Sequence, residues 1–298
     1  RLSTKIVYDI CCNDVTPTPT PTPTNTPTPT NTPTPTITPT VTPTQPVVAI
    51  PCNNPPNVPP GAPGRYDITY NVGNDPTELG AILVYFNPAG IPDGVRVQHN
   101  GNFYNRLYSP TLTTTTPLQS PNGNMAFTTL GNNAPFGSTT TTTYNLFNLS
   151  NTNPAVWIAN GTTTATYTTG DYLFGGASVF NLIVIPKTNV SATSLLVESV
   201  GWNGGTVFNV DIKCPEPLPS FSGVSGTKLC SIATEEYYFA RFRNQSNTFP
   251  AQNNPVFTDP NGQNVFSPGA GNATDISMSN GNVITVTDGM VTNIVGCT

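Results

Sequence analysis

At 298 residues the chain has room for two domains, yet only 8% of it is Asp, Glu, Lys or Arg, with a formal net charge of −5. Ten scattered Lys and Arg residues offer no continuous basic patch to a phosphate backbone, so nucleic acid is not an expected partner. No stretch approaches the roughly eighteen consecutive apolar residues of a membrane span, and solubility must rest on Thr, Ser and Asn.

Residues 1–15 hold one strand-like segment, Lys5 to Ile10, β-branched and aromatic. So short a unit cannot bury a core of its own. Ile6, Val7 and Ile10 are therefore expected either to pair with another chain or to belong to a frayed tail.

Residues 16–46 alternate Pro and Thr almost without interruption. Each proline fixes φ and lacks an N–H, and each residue before a proline is driven out of the α region, which leaves an extended polyproline II stalk. At about 3.1 Å per residue such a stalk reaches roughly 90 Å. The unit Asn-Thr-Pro-Thr-Pro-Thr recurs from Asn25 and Asn31, and Ile37 and Val41 then break the pattern with apolar side chains. Neighbouring stalks can bury those two positions along a common axis, so the expected assembly is a homo-oligomer, a trimer, joined through its N-terminal part.

Residues 47–214 read as a β-sandwich of jelly-roll type. Short apolar runs are expected as strands at Tyr66 to Val72, Ala81 to Phe86, Val95 to Asn100, Ala126 to Leu130, Thr143 to Leu149, Ala155 to Ala159, Thr163 to Thr169, Val179 to Pro186, Ser194 to Trp202 and Thr206 to Cys214. Turn signals divide them at Asn100-Gly101, Asn122-Gly123, Asn160-Gly161 and Asn203-Gly204. Residues 215–298, beyond a Pro-rich hinge, read as a small β domain. Its strands are expected at Glu236 to Phe242, Val283 to Thr287 and Val291 to Val295, and its Asn-, Gly- and Pro-rich centre is expected to form loops rather than core.

The six cysteines follow this division. Pairing within each domain joins Cys52 to Cys214 and Cys230 to Cys297, while vicinal Cys11 and Cys12, with no local partner, are expected in interchain disulfides. A zinc site would want Cys-x-x-Cys or nearby histidines, and the sequence has neither, so an oxidising, extracellular setting is favoured.

The one histidine, His99, falls at a strand end and reads as a partly exposed turn residue. Asp93, Asp171, Glu198 and Asp211 stand singly, with no spacing that pairs two carboxylates across a cleft. The sequence holds no nucleophile elbow, phosphate loop or calcium loop. No enzyme activity and no cofactor are expected. Carbohydrate is the rival ligand: Trp157, Trp202, Tyr104 and Arg106 are the candidates for a glycan-binding platform of aromatic and hydrogen-bonding side chains, with host-surface glycans as the partner.

The run Gly80-Ala-Ile-Leu-Val-Tyr-Phe-Asn87, followed by Ile91-Pro-Asp93 and Val95-Arg-Val-Gln-His-Asn-Gly101, and the closing segment Trp202 to Cys214, resemble jelly-roll modules of virion appendages and secreted bacterial surface proteins. The resemblance covers Arg65 to Cys214. It departs from the pattern after Asp93, where Gly94 stands in place of an arginine and Arg96 follows. Beside such a module the Pro-Thr stalk is similar to head, neck or tail fibres of tailed bacteriophages. That likeness implies a structural role among other virion proteins and carries over no catalytic residue. An extracellular filament, with Ile6 to Ile10 added to a neighbour as a donor strand, is the further alternative.

Overall fold

The computed structural model describes residues 48–54, 61–89, 93–104, 106–110, 141–149, 157–168, 173–174, 179–201, 205, 207–226, 234–269 and 272–297. The chain divides into two compact units, Arg1–Thr44 and Gln45–Thr298, and all described residues fall in the second. Ile6, Val7, Ile10, Cys11, Cys12, Ile37, Val41, Trp202 and Cys230 lie outside them.

The described part is all-β, apart from one turn of 3-10 helix at Pro76–Glu78. Its first strands are β1 (Ala49–Pro51), β2 (Gly64–Asn71), β3 (Gly80–Asn87), β4 (Gly94–His99), β5 (Asn102–Tyr104), β6 (Thr141–Leu149), β7 (Trp157–Thr168), β8 (Leu173–Phe174), β9 (Asn181–Lys187), β10 (Ser194–Gly201) and β11 (Asn209–Glu216). Eight of them form one sheet in the order β5-β4-β10-β2-β6-β7, with β1 also on β2 and β8 on β4, and the other three form a sheet in the order β11-β3-β9. All pairs are antiparallel except β1 with β2 and β2 with β6.

Alternation along the strands explains why these two sheets meet. On β2, Tyr66, Ile68 and Tyr70 are buried while Arg65, Asp67 and Thr69 face outward. On β10 and β4, Leu195, Val197, Val95 and Val97 join the same inner face. The middle sheet supplies Ile82, Val84 and Phe86 of β3, Ile183 and Ile185 of β9, and Val210 and Ile212 of β11. One apolar core thus lies between the two sheets, with Phe147 stacked on Tyr66 at 4.5 Å between ring centroids.

The remaining strands are β12 (Ser220–Ser225), β13 (Glu235–Phe239), β14 (Val256–Phe257), β15 (Ala273–Met278), β16 (Asn282–Thr287) and β17 (Met290–Gly296), in the order β14-β13-β12-β15-β16-β17. This third sheet curls until Met290 bridges Pro255, with Asn253 N–H donating to Val291 O and Val291 N–H to Asn254 O. Phe221, Tyr237, Phe239, Val256, Ile276, Ile284, Val286 and Val291 fill its interior.

Strand β3 belongs to two interiors. Its even residues enter the core just described, and its odd residues Ala81, Leu83 and Tyr85 join Leu182, Val184, Leu218, Ala240, Phe242 and Phe257 in another. A near-continuous apolar run is what a strand buried on both faces requires. The loop bearing Gly262 docks on that second face so closely that a Cβ at Gly262, where φ is +72°, would stand 2.5 Å from Val184 Cγ1.

Three expectations are corrected. Asn160-Gly161 is not a turn between strands. β7 runs through it, and because Leu146 pairs with Asn160 while Asn145 pairs with Thr164, residues 161–163 form a bulge. The centre of the C-terminal region is not only loop, since Val256 and Phe257 within it are buried. His99 does end a strand beside a tight Asn100-Gly101 turn, with φ of +49° and +77°. It is buried, however, with ring Nδ1 2.9 Å from Ser194 O, and burial pushes its pKa down. The expected strand Ala126 to Leu130 and the turns at Asn122-Gly123 and Asn203-Gly204 lie outside the described residues.

Candidate functional site

The sequence-derived glycan candidates do not converge on one described surface. Trp157, at the start of β7, packs against the core and stands edge-on to Tyr66, 5.0 Å between centroids. Tyr104 packs against the same core from β5. Arg106 reaches the C-terminal sheet instead, where its guanidinium donates to Asp288 O and lies over the Tyr108 ring.

Two other arrangements stand out. The first is where the chain leaves the Pro-Thr segment and enters the large sheet. Strand β1 aligns parallel to the end of β2, and at its exit Cys52 is disulfide-bonded to Cys214 on β11, Cα atoms 5.1 Å apart. Hydrogen bonds surround the bridge: Cys52 N–H donates to Asn71 O, Asn53 N–H to Ile212 O, and Cys214 N–H to Asn53 Oδ1. The entry point is thereby fixed both to the large sheet, through β2, and to the middle sheet, through β11. Cys297 is also disulfide-bonded; its expected partner Cys230 lies outside the described residues.

The second arrangement is the outward face of β2, β10 and β4. Register places Glu198 directly opposite Asp67 on one side and Arg96 on the other. Two carboxylates facing each other across strands repel. Two arginines resolve this. Arg65 grips Asp67 in a bidentate pair at 2.8 and 2.6 Å and reaches Glu198 at 3.4 Å, while Arg96 Nε donates to the other Glu198 oxygen. The Glu198 side chain is only 5% exposed, and because both arginines reach it, removing either one leaves it a partner, so the cost stays below the roughly 3–5 kcal/mol of an unpaired buried charge. Burial pushes the Asp67 carboxyl upward, and Arg65 opposes that. Arg96 lies 4.8 Å over the ring of Phe103, which remains 54% exposed on β5.

Sequence reasoning missed this face, although the polar members of Arg65-Tyr66-Asp67-Ile68-Thr69-Tyr70-Asn71 occupy every second position. Period two told which side chains face outward, but only the register between β2, β10 and β4 told which of them meet.

No protein-family model matches the chain, and comparisons with curated proteins and with solved structures found no match.

Proposed function

We propose that this is a structural fibre or appendage protein of a virion or other extracellular surface, similar to tailed-phage fibres. In this reading the Pro-Thr segment is a rigid stalk, its N-terminal part holds three copies together, residues 47–214 are jelly-roll-like, and no chemistry is performed. The observation that carries the reading is the entry point. Pulling on the stalk would load β1 first, and a three-residue strand by itself peels easily. The Cys52–Cys214 bond, with sequence separation 162, stops the peeling after Pro51. It also takes the residues it encloses out of the line of tension, because force passes from Cys52 straight to Cys214 and on into β12. A fastening placed where a spacer meets a folded body suits a part that transmits tension.

Electron microscopy of the intact chain and of variants lacking one or two Asn-Thr-Pro-Thr-Pro-Thr units tests the stalk. Each unit removed should draw the globular density in by roughly 19 Å if the segment is polyproline II, with folding of the remainder unchanged. A globular body whose distance from the N-terminal end does not move, or which no longer folds, would overturn the proposal.

A further inference from the structure

On the outer face of the large sheet, beyond the charged cluster, lies an open trough with no charged side chain in its lining. Its larger part, about 450 Å³, is framed by Thr69, Gln98, the Asn100-Gly101 turn and the Ser191 to Ser194 segment. A second depression of about 360 Å³ continues from it past Thr69, Thr193 and Ser194 to Asn71 and Asn74. Both volumes fall within the range of small-molecule sites, about 300–1,000 Å³.

The lining is chemically uniform. Apart from Leu196, Ala49, Ala192 and Tyr70, whose side chain points into the core, the side chains that frame it carry hydroxyls or amides. Among the described residues, the side chains of Thr69, Gln98, Thr193 and Ser194 have no hydrogen-bond partner, so their donors and acceptors face a ligand. The backbone holding them is fixed: Val72 N–H donates to Thr193 O, and His99 meets Ser194 O. Phe103 is the cross-strand partner of Gln98 and offers more than half its surface beside the trough.

We infer that this trough is a binding site for a neutral oligosaccharide spanning at least two sugar units. Hydroxyl and amide groups with no net charge match the hydroxyls of a neutral sugar, and the exposed Phe103 ring offers apolar surface to its C–H groups. Arg96, over the Phe103 ring, is already engaged by Glu198, so an anionic ligand would find no cation among the described lining residues, and an apolar peptide would leave these polar groups unpaired, which is costly. The inference is independent of the tension-bearing role proposed above.

The test uses the full chain and four neutral probes, cellotetraose, maltotetraose, mannotetraose and chitotetraose, with sialyllactose as a charged control. Titration calorimetry and ligand-observed saturation transfer should detect at least one neutral probe binding with Kd of roughly 1 mM or tighter. Ser194→Trp, which fills both depressions from an exposed position, should weaken it by at least about tenfold, Phe103→Ala by a smaller factor, and Gln252→Trp on the C-terminal sheet not at all. Should Ser194→Trp fail to fold, Phe103→Ala together with amide shift changes confined to Thr69, Gln98, Asn100 and Thr193 decides the matter. Absence of binding by all four neutral probes, binding of sialyllactose alone, binding that survives both trough variants, or self-association through this face in place of sugar binding would each overturn the inference.

Discussion

The middle sheet is held differently on its two faces. Toward the large sheet, β3, β9 and β11 present Ile82, Val84, Phe86, Ile183, Ile185, Val210 and Ile212, and the Cys52–Cys214 bond staples the layers together at one end. Toward the C-terminal sheet the apolar row comes from β3 and β9, while β11 turns Asp211 outward to meet Arg243 at 2.7 Å, with the Arg243 guanidinium 4.1 Å over the Phe180 ring. The acids differ in the same way. Asp211 has an arginine, whereas Asp93, beside Tyr66 at the first interior, is fully buried with neither carboxyl oxygen hydrogen-bonded. The first face has the composition of a folding core. The second combines a buried apolar row with a partly exposed ion pair.

The bond across the first face provides the largest expected effect. Closing a loop of this length restricts the unfolded chain by about 5 kcal/mol in the loop-entropy account. Replacing both Cys52 and Cys214 by Ser should therefore lower the denaturation midpoint of the larger module strongly. Both tryptophans, Trp157 and Trp202, precede Cys214 in the sequence, so tryptophan fluorescence reads that module selectively. In single-molecule pulling between the chain ends, the serine variant should yield roughly 550 Å more contour length than the native chain, the separation of 162 residues times about 3.4 Å. Equal contour lengths would mean the bond does not shield the module.

Two residues on opposite faces of β3 sharpen the contrast next. Phe86→Ala opens a cavity in the first core and should cost about 3–5 kcal/mol, read as an earlier fluorescence transition. Leu83→Ala removes a contact with the C-terminal sheet and should cost about 2–4 kcal/mol. Its effect should emerge as faster amide exchange in β12 and β13, with a smaller shift in fluorescence. Indistinguishable exchange patterns in the two variants would mean that the two faces form one cooperative interior.

How much of this was readable beforehand follows from the same strand. The run Ala81 to Phe86 announced itself as a strand through composition, and the structure extends it by only one residue at each end. Which of its residues belong to which core was not readable, because a fully apolar run erases the period-two signal. Strands β12 and β15 were missed for the opposite reason: Ser220-Phe-Ser-Gly-Val-Ser and Ala273-Thr-Asp-Ile-Ser-Met dilute a few apolar residues among small polar ones, and tertiary pairing, not propensity, places them in a sheet. The Cys52–Cys214 pairing was legible from the cysteine order alone. The ion-pair cluster and the trough were not, since both depend on register between strands far apart in sequence.

Asp93 gives the first face a pH dependence that the second lacks the means to match. With no polar partner, its burial raises the carboxyl pKa from 3.8 to about 8. The folded chain then keeps a proton that the unfolded chain releases. The contribution of Asp93 to stability is greatest below pH 4, falls as pH climbs from there through 8, and levels off above that. Asp93→Asn keeps the shape without the ionisable proton, so it should flatten the decline and raise stability at pH 8 by an amount of order 1 kcal/mol or more. A variant whose stability falls with pH as steeply as that of the native chain would show that Asp93 is not the group responsible.

The smallest expected effect belongs to the pair on the second face. Arg243 has a side chain 36% exposed and Asp211 one 23% exposed, so water screens their attraction and a surface-type coupling of about 1 kcal/mol or less is expected. Arg243 also covers the Phe180 ring, and its loss removes packing as well as charge. A double-mutant cycle with Arg243→Ala and Asp211→Ala separates these contributions. The coupling energy should stay small and shrink in high salt, whereas the loss for Arg243→Ala alone should exceed that for Asp211→Ala because only the former bares the ring. A large, salt-insensitive coupling would place the pair in a dry environment, and the second face would then have to be read as a core in its own right.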